Sequence, residues 1–82
     1  MVLNMKKESS ETLDCLGLFC PQPVLELRQK IDSLPIGAVL EVLADDPAAE
    51  EDFKRWAKRT GQQILKFEKE GAKMKFLIKK VV

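Results

Sequence analysis

The sequence predicts an α+β two-layer sandwich of order βαβαββ, with two helices packed on one face of a mixed four-stranded sheet. Two segments carry apolar side chains at helical spacing, and each follows a short strand-like segment. The last third of the chain alternates between apolar and charged side chains on both sides of a glycine turn. Strand–helix alternation followed by a hairpin is typical of this class.

The first strand is predicted at Glu11 to Cys15, and Gly17 then lets the chain turn sharply. The first helix is predicted from Pro23 to about Leu34. Its apolar side chains recur three or four residues apart, which places them on one face: Val24, Leu27, Ile31 and Leu34.

A short run rich in Val and Leu, Ala38 to Ala44, predicts the second strand. Asp46 followed by Pro47 indicates the start of a second helix, with the carboxylate as cap and the proline in the first turn. Gly61 is expected to end this helix. Five residues share its apolar face: Ala49, Phe53, Trp56, Ala57 and Thr60.

The remaining segments "QQILKFEKE" and "KMKFLIKKVV" are predicted to pair as a hairpin across Gly71 and Ala72. In the first, Leu65 and Phe67 alternate with charged residues. The second shows the same alternation of apolar and lysine side chains, so each strand is expected to keep one face in water.

Length and composition predict a flexible N-terminal tail at residues 1–10 and a single domain at residues 11–82. A formal charge of +1 gives no global field for nucleic acid, so direct nucleic-acid binding is not expected. No segment reads as a signal peptide or a membrane span, so we expect a cytoplasmic protein without a membrane partner. Its two cysteines are then expected to be free thiols.

Several kinds of catalytic site are missing from the sequence. The chain has no histidine, which excludes a Cys–His nucleophile and removes the commonest zinc ligand. Two cysteines alone do not complete a structural zinc site, so no metal is predicted. No Walker phosphate loop, dinucleotide fingerprint or Ser nucleophile elbow occurs, and no cofactor is predicted.

The stretch Cys20-Pro21-Gln22-Pro23 is the chemically informative part of the chain. A residue that precedes proline avoids helical geometry, so Cys20 and Gln22 are expected to be extended, with Cys20 just ahead of the first helix. The positive end of that helix favours a thiolate, and the prolines stiffen the backbone. We therefore expect Cys20 to be an exposed, modestly activated nucleophile.

The segments "LDCLGLFCPQPVLELRQKI" and "ADDPAAEEDFKRWAKRTG" resemble the TusA/SirA family of small sulfur-carrier proteins, over about Leu13 to Lys80. A Cys-Pro-x-Pro motif is the signature of that family. The resemblance implies a two-layer sandwich like the C-terminal domain of a bacterial translation initiation factor, which agrees with the fold predicted from the residue pattern. It also implies that Asp45-Asp46-Pro47 forms the entry to the second helix.

The resemblance implies that Cys20 accepts a persulfide from a cysteine desulfurase or similar donor and relays it to an acceptor protein. This is a sulfurtransferase-type relay, as in tRNA 2-thiolation, rather than an independent turnover enzyme. Supporting roles are implied for the motif residues Asp14, Gly17, Pro21 and Pro23. This chain departs from many relatives at two positions, with Phe19 in place of Arg and Cys15 in place of a small residue or Thr.

Two other functions remain open from the residues. Cys15 and Cys20 could form a thiol redox switch, although Cys15 at a strand end could equally be a packed thiol. The lysines of the terminal hairpin could serve an RNA- or protein-binding module without chemistry, or could be a solvated face. Phe19 could dock a partner or fold back onto neighbouring leucines.

Overall fold

Residues 11–82 are described by the structure, a computed structural model, and the tail predicted at residues 1–10 lies outside the described residues. The elements are β1 (Glu11–Cys15), α1 (Gln22–Asp32), β2 (Val39–Ala44), α2 (Ala49–Thr60), β3 (Gln63–Glu70) and β4 (Lys73–Lys79). The strands form one sheet in the order β1-β2-β4-β3. Strand β1 is parallel to β2, and β4 is antiparallel to both β2 and β3. The predicted fold class is confirmed.

The core lies between the two helices and one face of the sheet. Alternate residues of β2 and β4 point toward the helices, as the two-residue period of a strand requires. Phe53 of α2 meets Phe76 of β4 edge to face, with ring centroids 4.8 Å apart, and Phe67 of β3 covers the other side of Phe76 at 4.9 Å. Phe53 and Phe76 are fully buried, and each contributes about 1.5–3 kcal/mol of apolar transfer free energy.

Helix α1 begins at Gln22 and ends at Asp32, so both of its boundaries differ from the prediction. Pro21 occupies the N-cap position, one residue earlier than expected. At the other end the Ser33 hydroxyl donates to the Lys30 carbonyl at 2.7 Å and closes the last turn. Leu34 is buried as predicted, but it lies beyond the helix.

Helix α2 begins at Ala49 with Ala48 as N-cap, so Asp46 and Pro47 precede the helix instead of forming its first turn. The Asp46 carboxylate accepts from the Ala48 N–H at 3.1 Å, two residues ahead, which is an Asx turn and not a helix cap. Gly61 ends the helix in a left-handed conformation, φ 86°, as predicted.

The hairpin forms as predicted, but β3 contains a bulge that changes which side chains face the core. Ile64 pairs with Ile78 and Lys66 with Leu77, so Leu65 is an extra residue without a partner on β4. Ile64 and Phe67 therefore pack against the core, and Leu65 is exposed. The prediction that Leu65 and Phe67 share the apolar face of this strand is therefore wrong for Leu65.

The parallel pairing of β1 with β2 determines where the motif loop lies. Cys15 pairs with Ala44, and these are the last residues of their strands. Because parallel strands end at the same edge, the loop that leads to α1 and the loop that leads to α2 leave the sheet side by side. The Cys-Pro-Gln-Pro stretch therefore lies next to Asp45 and Asp46.

The Phe53–Phe76 contact predicts that Phe53→Ala lowers the free energy of unfolding by about 3–5 kcal/mol, because truncation leaves a cavity in a fully buried site. Urea unfolding followed by fluorescence of the single tryptophan measures this. Lys58→Ala on the exposed side of α2 is the control and should change stability by less than about 0.5 kcal/mol. Phe53→Leu, with a smaller loss, replaces the alanine variant if that variant does not fold.

Candidate functional site

The loop between β1 and α1 carries Cys20 at the surface. Gly17 has φ 83°, a conformation that favours glycine, although a Cβ there would meet nothing within 4 Å. The Asp14 carboxylate accepts from the Leu16 N–H at 2.9 Å and supports the start of this turn. The Cys20 side chain is exposed, and Phe19 beside it is 72% exposed. Phe19 therefore does not fold back into the core.

Two carboxylates from the loop after β2 accept hydrogen bonds from the loop between β1 and α1 and hold it against the rest of the domain. Asp45 accepts from the Gly17 N–H at 3.0 Å. Asp46 accepts from the Cys20 N–H at 2.6 Å through one oxygen, while its other oxygen accepts from the Ala48 N–H. Asp46 is buried, and bonds from N–H groups to a charged carboxylate are about twice as strong as neutral ones. The backbone under the Cys20 sulfur is thus held by a buried anchor.

The two prolines fix the chain on either side of Gln22. The Cys20–Pro21 peptide bond is cis. The Pro21 carbonyl accepts from the Leu25 N–H at 3.2 Å, and Pro23 is buried in the first turn of α1. Gln22 is helical instead of extended, so the expectation of an extended Gln22 is wrong. The prolines place the start of α1 directly behind the cysteine.

The Cys20 thiol lies at a shallow pocket of about 200 Å³ between the motif loop and α2. Three charged side chains of α2 line it, spaced so that they share one face of the helix: Asp52, Arg55 and Arg59. Arg55 forms an ion pair with Asp52. The uncharged wall consists of Pro21 and Val24.

The pKa of Cys20 is raised above its ordinary value, contrary to the activation expected from the helix end. The largest cause is a hydrogen bond to the Asp52 carboxylate, which only the protonated thiol donates. Partial desolvation and the negative charges of Asp52 and Asp46 act in the same direction, and Arg55 opposes them. The nearby carboxylates therefore favour the protonated thiol of Cys20.

Cys15 lies in a different environment, although it is five residues away. Its side chain is fully buried at the end of β1, and burial raises the pKa of its thiol to about 11. Both cysteines are free thiols, as predicted. Of the two open interpretations of Cys15, the geometry favours the packed thiol.

The sequence did not identify several residues around the thiol. Asp46 was predicted as a helix cap, and its bond to the Cys20 N–H depends on strand pairing across 26 residues. Asp52, Arg55 and Arg59 were not singled out as site residues. Their spacing along one face of α2, beside the apolar stripe, is the only sequence signal that could have marked them.

The lysines of the terminal hairpin lie beside acidic side chains. Glu68 forms ion pairs with Lys66 at 3.4 Å and with Lys75 at 3.2 Å, so acidic residues compensate part of the lysine face. Within residues 11–82 no three Cys, Asp or Glu side chains come together as a metal-binding group. Neither helix of that part has the length and apolar character needed to cross a bilayer.

Comparison with known proteins finds relatives that match this chain over most of its length. A protein of Archaeoglobus fulgidus is 43% identical over 68 residues, covering 82% of this chain and 88% of that protein. Sulfur carrier protein TusA of Allochromatium vinosum is 41% identical over 70 residues, covering 85% of this chain and 92% of the relative.

Structure and family comparisons agree with these relatives. The crystal structure of a SirA-like protein from Desulfitobacterium hafniense superposes with a TM-score of 0.75 at 27% identity, covering 88% of this chain and 99% of that one. The family model described as "Sulfurtransferase TusA" matches residues 11–80, which include every element of the fold. The chain therefore belongs to the TusA family.

Proposed function

We propose that this protein is a sulfur carrier that holds sulfur as a persulfide on Cys20. The observation that carries the proposal is an exposed thiol on a loop whose backbone is anchored by the buried Asp46, in a chain of the TusA family. Relatives in that family are named sulfur carriers. A relay needs a sulfur atom that large partners can touch, and this geometry supplies one.

The transfer is an exchange of one sulfur atom between two thiols. The Cys20 sulfur attacks the terminal sulfur of a persulfide on a donor protein, the donor's S–S bond breaks, and a new S–S bond forms on Cys20. The donor leaves as a thiol after taking a proton, and the electrons balance without an external oxidant. In the second step an acceptor removes the terminal sulfur, and Cys20 returns to the thiol.

The surface around Cys20 suits brief docking with protein partners. Phe19 and Leu25 are exposed apolar side chains on either side of the motif, and the charged pocket on α2 lies beside them. A cysteine desulfurase or similar enzyme is the proposed donor, and a downstream protein, such as one in tRNA 2-thiolation, is the proposed acceptor. The chain then acts as a relay and not as an independent turnover enzyme.

The thiol redox switch has less support than the relay. A switch needs two thiols that reach each other and an oxidant, and Cys15 is buried with a pKa raised by that burial. Thiolate is the form that oxidants attack, so Cys15 is a poor second thiol. We assign Cys15 a packing role.

Sulfur loading predicts a mass change at one cysteine. Incubation with a cysteine desulfurase, pyridoxal phosphate and cysteine should add the mass of one sulfur atom to the wild-type protein, measured by intact mass spectrometry without reductant. Cys20→Ser should gain no sulfur, because the nucleophile is gone. Cys15→Ala also removes one thiol and should load like the wild type. Sulfur that persists on Cys20→Ser would reject the relay through Cys20.

The anchor predicts that Asp46→Ala affects both folding and loading. Two N–H groups lose their acceptor in a buried site, so the free energy of unfolding should fall by about 1–3 kcal/mol. Loading of Cys20 from the same donor should slow, since the loop is no longer held. Asp45→Ala removes the acceptor of the Gly17 N–H alone and is the matched control, with smaller effects on both measurements. Equal stability and equal loading for the two variants would contradict the anchor role.

Because Cys15 is buried, we predict that one cysteine reacts rapidly with a thiol reagent in the folded protein and that two react rapidly in urea. At slightly alkaline pH the exposed Cys20 reacts. Cys15, with a pKa of about 11, stays protonated at that pH. Folded Cys15→Ala should still show one fast thiol, and Cys20→Ser none. Two fast thiols in the folded wild type would show that Cys15 is accessible.

A further inference from the structure

A groove between α1 and α2 begins at the Cys20 thiol. The thiol pocket of about 200 Å³ adjoins a second pocket of about 350 Å³, and Arg59 lines both of them. On α1 the lining residues recur four positions apart, which keeps them on one face of the helix: Val24, Arg28 and Asp32. The second pocket has the volume of a site for a small molecule. A ligand in the groove can therefore reach both the sulfur and the second pocket.

Two arginines of this groove are available to an anion. Arg28 of α1 and Arg59 of α2 are exposed, line the larger pocket, and form no ion pair within the described part of the chain. By contrast, Arg55 at the thiol pocket is already paired with Asp52. The larger pocket also has an acidic lining residue, Asp32, so two arginines against one aspartate leave its described lining with a net positive charge.

The wall of the larger pocket also contains a donor without an acceptor. Trp56 of α2 lines this pocket and is 2% exposed. Its indole N–H is buried and meets no hydrogen-bond acceptor among the residues that the structure describes. Buried N–H groups are ordinarily paired, so this one favours a ligand that brings an oxygen atom. Guanidinium groups match the planar, two-oxygen shape of a carboxylate, which makes a carboxylate the ligand group that suits this pocket.

We propose that Arg28 and Arg59 bind the carboxylate of a small anionic persulfide, which makes this class of molecule a direct sulfur donor to Cys20. This inference rests on the proposed function and adds a class of small donor to the protein donor proposed above. An anion held by Arg59 lies beside the thiol, because Arg59 also lines the Cys20 pocket. Binding in the groove thus replaces a chance collision with a reaction between two neighbouring sulfur atoms.

The exchange with a small persulfide needs no further reactant. The Cys20 sulfur gives up its proton and bonds to the terminal sulfur of the donor, and the S–S bond of the donor breaks. The inner sulfur of the donor takes one proton and leaves as an ordinary thiol, so one S–S bond forms as another is lost and no oxidant is consumed. Arg28 and Arg59 hold the carboxylate throughout and form no covalent bond.

Binding is tested first, with glutathione, which has two carboxylates but no sulfur to transfer. Trp56 is the only tryptophan of the chain and lines the pocket, so its fluorescence reports on occupancy. Titration at constant ionic strength should give a saturable change for the wild type and for Cys20→Ser. The diethyl ester of glutathione lacks both carboxylates and should give none. An ester that binds as tightly as glutathione would overturn the inference.

Three exposed positions supply the variants for the same titration. Arg28→Gln and Arg59→Gln should each weaken glutathione binding several-fold, because each removes one guanidinium from the pocket. Lys58→Gln is the matched control: it removes one positive charge next to Arg59 on α2, at an exposed residue that lines neither pocket, and should leave the affinity unchanged. Equal affinities for Arg59→Gln and Lys58→Gln would overturn the inference.

Sulfur transfer is then tested with two small persulfides and intact mass spectrometry. Glutathione persulfide carries the carboxylates, and 2-hydroxyethyl persulfide carries none. Arg59→Gln should raise the half-saturating concentration of glutathione persulfide several-fold, with little change in the loading rate at saturation, since binding and not chemistry is impaired. Loading from 2-hydroxyethyl persulfide should be similar in the wild type, Arg59→Gln and Lys58→Gln. The same half-saturating concentration of glutathione persulfide for the two variants would contradict a role for Arg59 in donor binding.

Failure of the relay and failure of this inference give different results. A wild-type protein that loads from a cysteine desulfurase but not from glutathione persulfide would overturn the small donor and leave the relay intact. If no donor loads Cys20, the relay and the small donor are both rejected, and the fluorescence titration alone decides whether Arg28 and Arg59 bind a carboxylate.

Discussion

The bond from the Cys20 N–H to the Asp46 carboxylate is the contact on which the site depends. It joins two loops separated by 26 residues, and it exists because β1 and β2 run parallel and end at the same edge of the sheet. The carboxylate is buried, so losing its partners would leave a charge without compensation inside the domain. The position of a surface sulfur is thereby fixed by the topology of the core beneath it.

Different residues determine the position of the Cys20 thiol and its reactivity. The anchor and the prolines determine where the sulfur is, through backbone bonds and a buried Pro23. Its pKa is raised chiefly by Asp52 of α2, with smaller effects from desolvation and Asp46, and Arg55 acts in the opposite direction. A carrier that meets several proteins gains from a thiol that stays protonated between encounters, because a free thiolate would react with any electrophile it met. The raised pKa of Cys20 is consistent with that requirement.

The sequence was sufficient for the fold and for the motif, because both depend on local patterns. A few residues are enough to predict each element: apolar side chains at helical spacing indicate α1 and α2, and a glycine turn indicates the hairpin. The bulge at Leu65 was missed because nothing in the local alternation marks an extra residue. The role of Asp46 and the effect of Asp52 on Cys20 were missed for another reason: both arise between segments distant in sequence, where pairing and charge balance decide the outcome.

Cys15 and Cys20 show how completely surroundings determine the chemistry of one residue type. Five residues of chain lead from Cys15, the buried last residue of β1, through the turn at Gly17 to the exposed Cys20. Burial, with the charges of Glu26 and Asp14, raises the pKa of the Cys15 thiol, and burial also keeps that thiol out of reach of a partner. The Cys20 thiol is exposed, and the carboxylates beside it raise its pKa above the ordinary value. A protein partner can therefore reach the Cys20 sulfur and not that of Cys15, and this difference in exposure makes one sulfur a candidate carrier and the other a part of the core.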